Sequence, residues 1–246
     1  MRVTRIHVEI PLEAATELAL PEAAATHLIR VLRLREGDTC VLFNGDGVDW
    51  TATITAIGKR DVRVRPDEAV HVDRESPLPI VLIQGVARGE KMDLVLQKAT
   101  ELGVTGIVPV LSQRSEVKLD ESRAAKRLAH WRSVVASACE QSGRARVPQV
   151  CPPTTLHAAL DGLQDGGTRL WLDPGGAATF NSLAPDLTQT VRLAVGPEGG
   201  WSPLDRDQLE AAGFVGLRLG PRILRTETAG LAAIAALQAR FGDFQA

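Results

Sequence analysis

Two apolar runs ending in Gly-Pro hold the residues best placed to do chemistry. The first is Leu193-Ala194-Val195-Gly196-Pro197-Glu198-Gly199-Gly200-Trp201. The second is Leu217-Arg218-Leu219-Gly220-Pro221-Arg222-Ile223-Leu224-Arg225-Thr226-Glu227-Thr228-Ala229, which runs straight into an apolar helix. Each reads as a buried strand whose carboxyl end opens into a loop. Ligands of α/β folds bind at such strand ends. Glycine-rich, charge-poor loops let backbone N–H and C=O groups approach a flat organic ligand closely. Arg222 and Arg225 crowd the second strand end beside a helix that must be buried, and a half-buried guanidinium needs an anionic partner.

A purely structural reading stands beside this one. Gly196–Gly200 could simply end a strand and start a helix, with Ser202 as N-cap, Pro203 at the first helical position and Asp205 at the third. Likewise Thr226 or Thr228 could cap the last helix, with Glu227 in its first turn. No P-loop, no G-x-G-x-x-G fingerprint and no G-x-S-x-G elbow occurs, so the common phosphate and nucleophile motifs are excluded.

Other polar stretches lie at element ends. Arg88-Gly89-Glu90-Lys91-Met92-Asp93 links a strand to a helix on which Gln97 and Glu101 are i,i+4 neighbours. Cys139-Glu140-Gln141-Ser142-Gly143-Arg144-Ala145-Arg146 ends a helix with two arginines, which suits the helix dipole and also forms a local phosphate-contacting patch.

The elements that must position these residues fall into two styles. In the first, Ala23–Leu34 has helical spacing that puts Arg30 and Arg33 on one face. Cys40–Phe43 and Trp50–Ile57 flank an Asn44-Gly45-Asp46-Gly47 hairpin turn. Lys59–Arg65 alternates, with Arg63 and Arg65 opposite the valines. Short strands around tight turns suggest a small barrel. A polar stretch from Val70 to Pro79 reads as a linker, giving domains at 1–72 and 73–246. After it, strands at 80–83, 107–111, 170–172, 191–195 and 216–219 alternate with helices at 91–102, 122–142, 202–212 and 228–241, the pattern of an α/β domain with a largely parallel sheet.

Composition narrows the class. The 246 residues carry 28 Lys+Arg against 30 Asp+Glu. Residues 1–75 hold 10 and 13 of these (−3), the remainder 18 and 17 (+1). Any nucleic-acid site must therefore be a local patch. No run of about 18 apolar residues is present, so no membrane partner is expected, and the N-terminus lacks the pattern of a secretory signal. Cys40, Cys139 and Cys151 make an odd set without CxxC spacing, which argues against disulfides or zinc and for the cytoplasm. The five histidines show no metal-ligand spacing, so no metal is expected.

Seven segments together resemble the bacterial RsmE family of the SPOUT class of methyltransferases. They are His27-Leu28-Ile29-Arg30-Val31-Leu32-Arg33, Arg88–Met92, Gln97-Lys98 with Glu101–Val104, Val117-Lys118-Leu119, Cys139–Gln141 with Gly143-Arg144, Gly196–Gly200, and Leu219–Thr228. They span nearly the whole chain in family order. The resemblance implies an N-terminal PUA-like β-barrel for RNA and a C-terminal α/β domain tied in a trefoil knot. It implies a homodimer that methylates N3 of a uridine in 16S rRNA, free or in the small ribosomal subunit, with S-adenosylmethionine as donor. The donor site it implies comprises Leu172, Asp173 and Pro174; Gly196, Pro197, Glu198, Gly199 and Gly200; and Leu219, Gly220, Ile223, Leu224, Arg225, Thr226 and Thr228. The chemistry of that reaction suggests Arg225 or Arg222 for stabilising charge on the uracil oxygens, and Glu198 for orientation or proton removal. RNA contacts are expected from Arg30, Arg33, Arg63, Arg65, Arg88, Lys91, Arg144 and Arg146. The uridine N3 edge takes part in base pairing, so the target must be unpaired or swung out.

Overall fold

A computed structural model describes residues 4–58, 61–117, 120–163 and 166–244. Lys59, Arg60, Lys118 and Leu119, which figured in the sequence reading, lie outside the described residues. The chain divides into two compact units, Met1–Glu75 with Ala136–Val147, and Ser76–Val135 with Pro148–Ala246.

The first unit is built on β1 (Arg5–His7), β2 (Leu18–Ala19), β3 (Thr39–Phe43), β4 (Val48–Ile57) and β5 (Val62–His71). They form a five-stranded sheet in the order β1-β3-β4-β5-β2. The expected barrel is thus, in hydrogen-bonding terms, an open ladder: β1 and β2 end the path and are not paired to each other among the described residues. Alternation works as expected in β5, where Val62 and Val64 are buried while Arg63 and Arg65 face out. The Asn44–Gly47 turn uses positive φ at Gly45 and Gly47, a conformation glycine adopts freely. The strand from Trp50 is longer than its alternation suggested, starting at Val48. Strand β5 likewise continues to His71, into the stretch read as linker.

Two expectations need correction here. Residues 23–34 are not one regular helix. A short α1 (Glu22–Thr26) passes into a π-helical turn, His27–Val31, and Arg33 sits at φ 57°. The wider turn lets Leu28 bury completely, and it takes Arg33 off the face that carries Arg30. The division of the chain is also not a single cut near residue 72. The last turns of a helix that begins at Glu121 return to the first unit. The reason is electrostatic. Glu140 accepts from the His7 backbone N–H at 2.9 Å, and the Gly143 carbonyl accepts from Arg74 Nη1 at 3.0 Å. Arg144 pairs with Glu75, and its carbonyl accepts from Arg5, which itself pairs with Asp49.

The second unit holds β6 (Ile80–Gly85), β7 (Gly106–Leu111), β8 (Gln149–Val150), β9 (Thr154–Thr155), β10 (Arg169–Leu172), β11 (Val191–Val195) and β12 (Val215–Leu217). Its helices are α2 (Glu90–Glu101), α3 (Glu121–Ser142, up to residue 135), α4 (Leu156–Asp161), α5 (Pro203–Ala211) and α6 (Thr226–Phe241). The sheet order is β12-β10-β11-β6-β7-β8, with β9 also on β7, and every pairing is parallel. Parallel strands are covered on both faces, so they read as continuous apolar runs. Strand β11 is buried at all five positions. Helix α6 packs on α2 and on β11.

Candidate active site

Strands β10, β11 and β12 are neighbours and end at Leu172, Val195 and Leu217, and all three of these residues line one cavity of about 480 Å³. Its position at the carboxyl ends of parallel strands is where α/β sheets bind ligands. Three loops complete its wall, after β10, after β11 and after β12.

The loop after β11 is fixed from several sides. Pro197 O accepts from Gly200 N at 2.8 Å, closing a turn that needs φ 65° at Gly200. Ser202 and Asp205 form a reciprocal capping box at the start of α5, with Pro203 inside the first turn, as the residue types predict. Trp201 is buried beneath it. On the other side the loop meets Gly85, at the end of β6. A Cβ there would lie 2.5 Å from Pro197 N, so only glycine permits this approach. Thr226 Oγ1 donates to Gly196 O at 2.5 Å and accepts from Gln84 Nε2 at 3.2 Å. Gln84 is fully buried and also donates to Gly85 O at 2.9 Å. A buried polar group in an apolar strand is costly unless it is bonded, so this relay specifies how β6, the glycine loop and α6 meet.

That relay corrects the capping expectation. Arg225 is the N-cap of α6 and makes no side-chain cap. Thr226, the first helical residue, spends its hydroxyl on the glycine loop instead. Thr228 is exposed and lies outside the cavity.

The other fourteen residues expected at the donor site, from Leu172 to Thr226, all line this cavity. So do the three expected catalytic residues, Glu198, Arg222 and Arg225. The side chains of Arg222 and Arg225 are exposed and make no ion pair among the described residues, leaving both guanidinium groups available. Glu198 is differently occupied. Its Oε1 accepts from the Arg88 backbone N–H at 3.1 Å and from Lys91 Nζ at 3.4 Å. Burial pushes its carboxyl up, but those two donors and its own backbone N–H outweigh it and hold the group below the ordinary carboxylate value. Such a group orients well and is a weakened base.

Several wall residues were not among the expected site residues. Arg114, after β7, donates to Gly199 O at 3.2 Å. Arg206 sits 5.5 Å over the Trp171 ring and 4.0 Å from Asp173. Glu227 also lines the cavity, and its Oε2 is buried without a hydrogen-bond partner among the described residues. Gln84 could have been found from sequence as the one polar residue in Ile80–Gly85. Nothing in the sequence marks Arg114.

The expected RNA contacts separate into groups. Arg30, Arg33 and Arg146, in the first unit, are exposed. Arg63 and Arg65 are exposed but compensated by Glu17, Asp61 and Asp67. In the second unit Arg88 pairs with Glu116 at 2.5 Å, and Lys91 faces the cavity on Glu198. Arg144 is only 4% exposed and ion-paired with Glu75, so it is a structural residue of the first unit and not a phosphate contact.

Among the described residues no cluster of His, Cys, Asp or Glu could hold a metal ion, and no helix is long and apolar enough to cross a membrane.

Comparisons with known proteins agree along the chain. Residues 74–238 match the model of an RNA methyltransferase domain and residues 20–67 that of an RNA methyltransferase PUA domain. The Ribosomal RNA small subunit methyltransferase E of Buchnera aphidicola (subsp. Schizaphis graminum) is 33% identical over 98% of both chains. That of Bacillus subtilis is 30% identical over 92% of this chain and 91% of its own. Among solved structures, the Ribosomal RNA small subunit methyltransferase E of Neisseria gonorrhoeae, bound to S-adenosylmethionine, superposes with a TM-score of 0.94 at 43% identity, covering 99% of this chain and all of its own. A protein of Legionella pneumophila with the same molecule bound gives 0.94 at 38% identity, with the same coverage.

Proposed function

This chain belongs to the ribosomal RNA small subunit methyltransferase E family, and we propose that it transfers a methyl group from S-adenosylmethionine to N3 of a uridine in 16S rRNA. The observation that carries this reading is the cavity itself, where three parallel strand ends and two Gly-Pro loops converge.

The cavity suits the donor. Its volume falls in the range of about 300–1,000 Å³ for small-molecule sites. S-adenosylmethionine has no phosphate, so the lack of a P-loop is no obstacle. Leu172, Val195, Leu217, Leu219 and Leu224 offer apolar walls for an adenine. The close approach that Gly85 allows holds the backbone of Gly196–Gly200 against that space. Two buried polar atoms of wall residues, Trp201 Nε1 and Glu227 Oε2, have no hydrogen-bond partner among the described residues. When bound, the donor supplies an electrophilic methyl carbon on a sulfonium.

The chain's own groups supply the rest. Uracil N3 is a poor nucleophile until its proton leaves, and the resulting charge spreads to the flanking carbonyl oxygens. Arg225 and Arg222, on the cavity wall and in no ion pair among the described residues, stabilise that charge. Glu198, held by Lys91 and the Arg88 N–H, orients. The target base enters unpaired. Arg30, Arg33, Arg63, Arg65 and Arg146 contact the RNA backbone from a PUA-like unit, and Arg88 and Lys91 do so beside the site. The reading also includes a trefoil knot, a homodimer and a cytoplasmic setting, which follow from the family resemblance. For the knot, the support is that β10, β11 and β12 lie out of chain order and that α6 returns onto α2 and β11.

The test is mass spectrometry of rRNA nucleosides from cells lacking the protein. 3-Methyluridine should disappear, return with the wild type, and stay absent with Arg225→Ala. Its persistence in the deleted strain would overturn the reading.

A further inference from the structure

Three carboxylates line the cavity: Asp173, Glu198 and Glu227. Two are already engaged. Asp173 Oδ1 accepts from the Gly175 backbone N–H at 3.1 Å and lies 4.0 Å from Arg206. Glu198 Oε1 has two donors on it, one of them a lysine. Glu227 differs, because its Oε2 is buried and accepts from nothing among the described residues. A buried carboxylate oxygen left unmet is costly, because it has given up its water for no other donor. Its backbone is not free to relieve this, since Glu227 is the second residue of α6 and follows Thr226, which the Gln84 relay locks to the glycine loop. Glu227 thus brings a carboxylate with one unmet oxygen to the cavity wall, in the first turn of α6 and two residues from Arg225.

Resting on the methyl-transfer reading above, we propose that Glu227, and not Glu198, is the catalytic residue that accepts the N3 proton of the target uracil. The bookkeeping of the step is complete. The N3–H bond breaks and its proton passes to the Glu227 carboxylate. The electron pair left on N3 forms the new bond to the methyl carbon. The carbon–sulfur bond breaks with its pair returning to sulfur, which becomes a neutral thioether. Glu227 then gives its proton to solvent. Arg222 and Arg225 stabilise the oxygens that carry the charge in transit, so acid-base and electrostatic roles fall to adjacent residues of one segment.

The experiment compares wild type, Glu227→Gln and Glu198→Gln as full-length proteins. It measures S-adenosylmethionine affinity by calorimetry and single-turnover methylation of small-subunit rRNA carrying either uridine or 5-fluorouridine. Fluorine acidifies N3–H, so a missing base matters less on that substrate. Glu227→Gln should keep donor affinity within about threefold and lose roughly 10²–10⁴-fold in rate on uridine. The loss should shrink at least about tenfold on 5-fluorouridine. A variant whose fold alone was damaged would lose on both substrates equally, which overturns the proposal. So would a fall in donor affinity large enough to explain the rate, because the carboxylate would then serve the donor's amine. Glu198→Gln showing the fluorine-dependent rescue in its place would also overturn it. If wild type makes no 3-methyluridine at all, the methyl-transfer reading fails; if wild type is active and Glu227→Gln is equally so, only the present proposal fails.

Discussion

Gly85→Ala tests the geometry of the cavity most sharply. The added Cβ would lie 2.5 Å from Pro197 N, 2.6 Å from Pro197 Cδ and 2.9 Å from Gly196 C. Comfortable contact is about 3.5–4.0 Å. All three atoms belong to backbone or to a ring, so no flexible tip can swing aside. The Gly196–Pro197 peptide must retreat by about 1 Å. That peptide's carbonyl accepts from Thr226 Oγ1 at 2.5 Å, and the same retreat stretches the bond toward the limit of about 3.5 Å. Overpacking costs about 1–3 kcal/mol and the weakened hydrogen bond about 1 kcal/mol more. A stability loss of about 2–4 kcal/mol should appear in urea denaturation. A 1 Å displacement of a positioning loop costs about 100-fold in rate, which single-turnover rRNA methylation would read. Thr226→Val separates the two effects: it removes the hydroxyl without the clash and should cost about 1–3 kcal/mol by stranding Gly196 O and weakening the hold on Gln84. If Gly85→Ala kept wild-type stability, donor affinity and rate, the claim that this approach sets the loop would be wrong.

Two further outcomes follow from the first unit and the cysteines. Arg144→Met should destabilise the protein by about 3–5 kcal/mol, because it leaves Glu75 uncompensated; the salt dependence of RNA binding should stay unchanged, and a slope reduced by about one would restore Arg144 as a phosphate contact. Burial pushes the thiols of Cys40 and Cys139 up to about 11 and about 12, whereas Cys151 is only partly buried. A thiol reagent in mildly alkaline buffer should therefore label Cys151 first, seen by peptide mass mapping, and rapid labelling of Cys139 in the folded protein would contradict its burial.

The amino-acid sequence disclosed the α/β rhythm because buried parallel strands leave apolar runs. Val191–Val195 and the capping box at Ser202 could be read directly, since each follows from residues close in the chain. Strands β8 and β9, of two residues each, have no periodicity to read, and α4 follows Pro152-Pro153, which suggests only a loop. The failures within the site share one cause. The hydroxyl of Thr226 suits a cap and a tertiary bond equally well, and only the arrival of Gly196, 30 positions earlier, decides between them. Glu198 looks free until Lys91, 107 positions away, is placed beside it. Arg144 looks like a phosphate ligand until Glu75 arrives to bury it. Residue type narrows the chemistry a side chain can do, while its partner over long range selects which chemistry it does.

The chain visits its first unit twice, and this has a consequence for synthesis. When Glu75 leaves the ribosome, Arg5, Arg74 and His7 still lack the carbonyls and the carboxylate that Glu140, Gly143 and Arg144 will bring. Translation must advance to Val147 before the unit can finish, a wait of roughly 4–14 s at about 5–20 residues per second. A gene fragment stopping at Glu75 would encode an unfinished module. Transplanting the unit into another protein requires the 136–147 segment to be stitched back onto it.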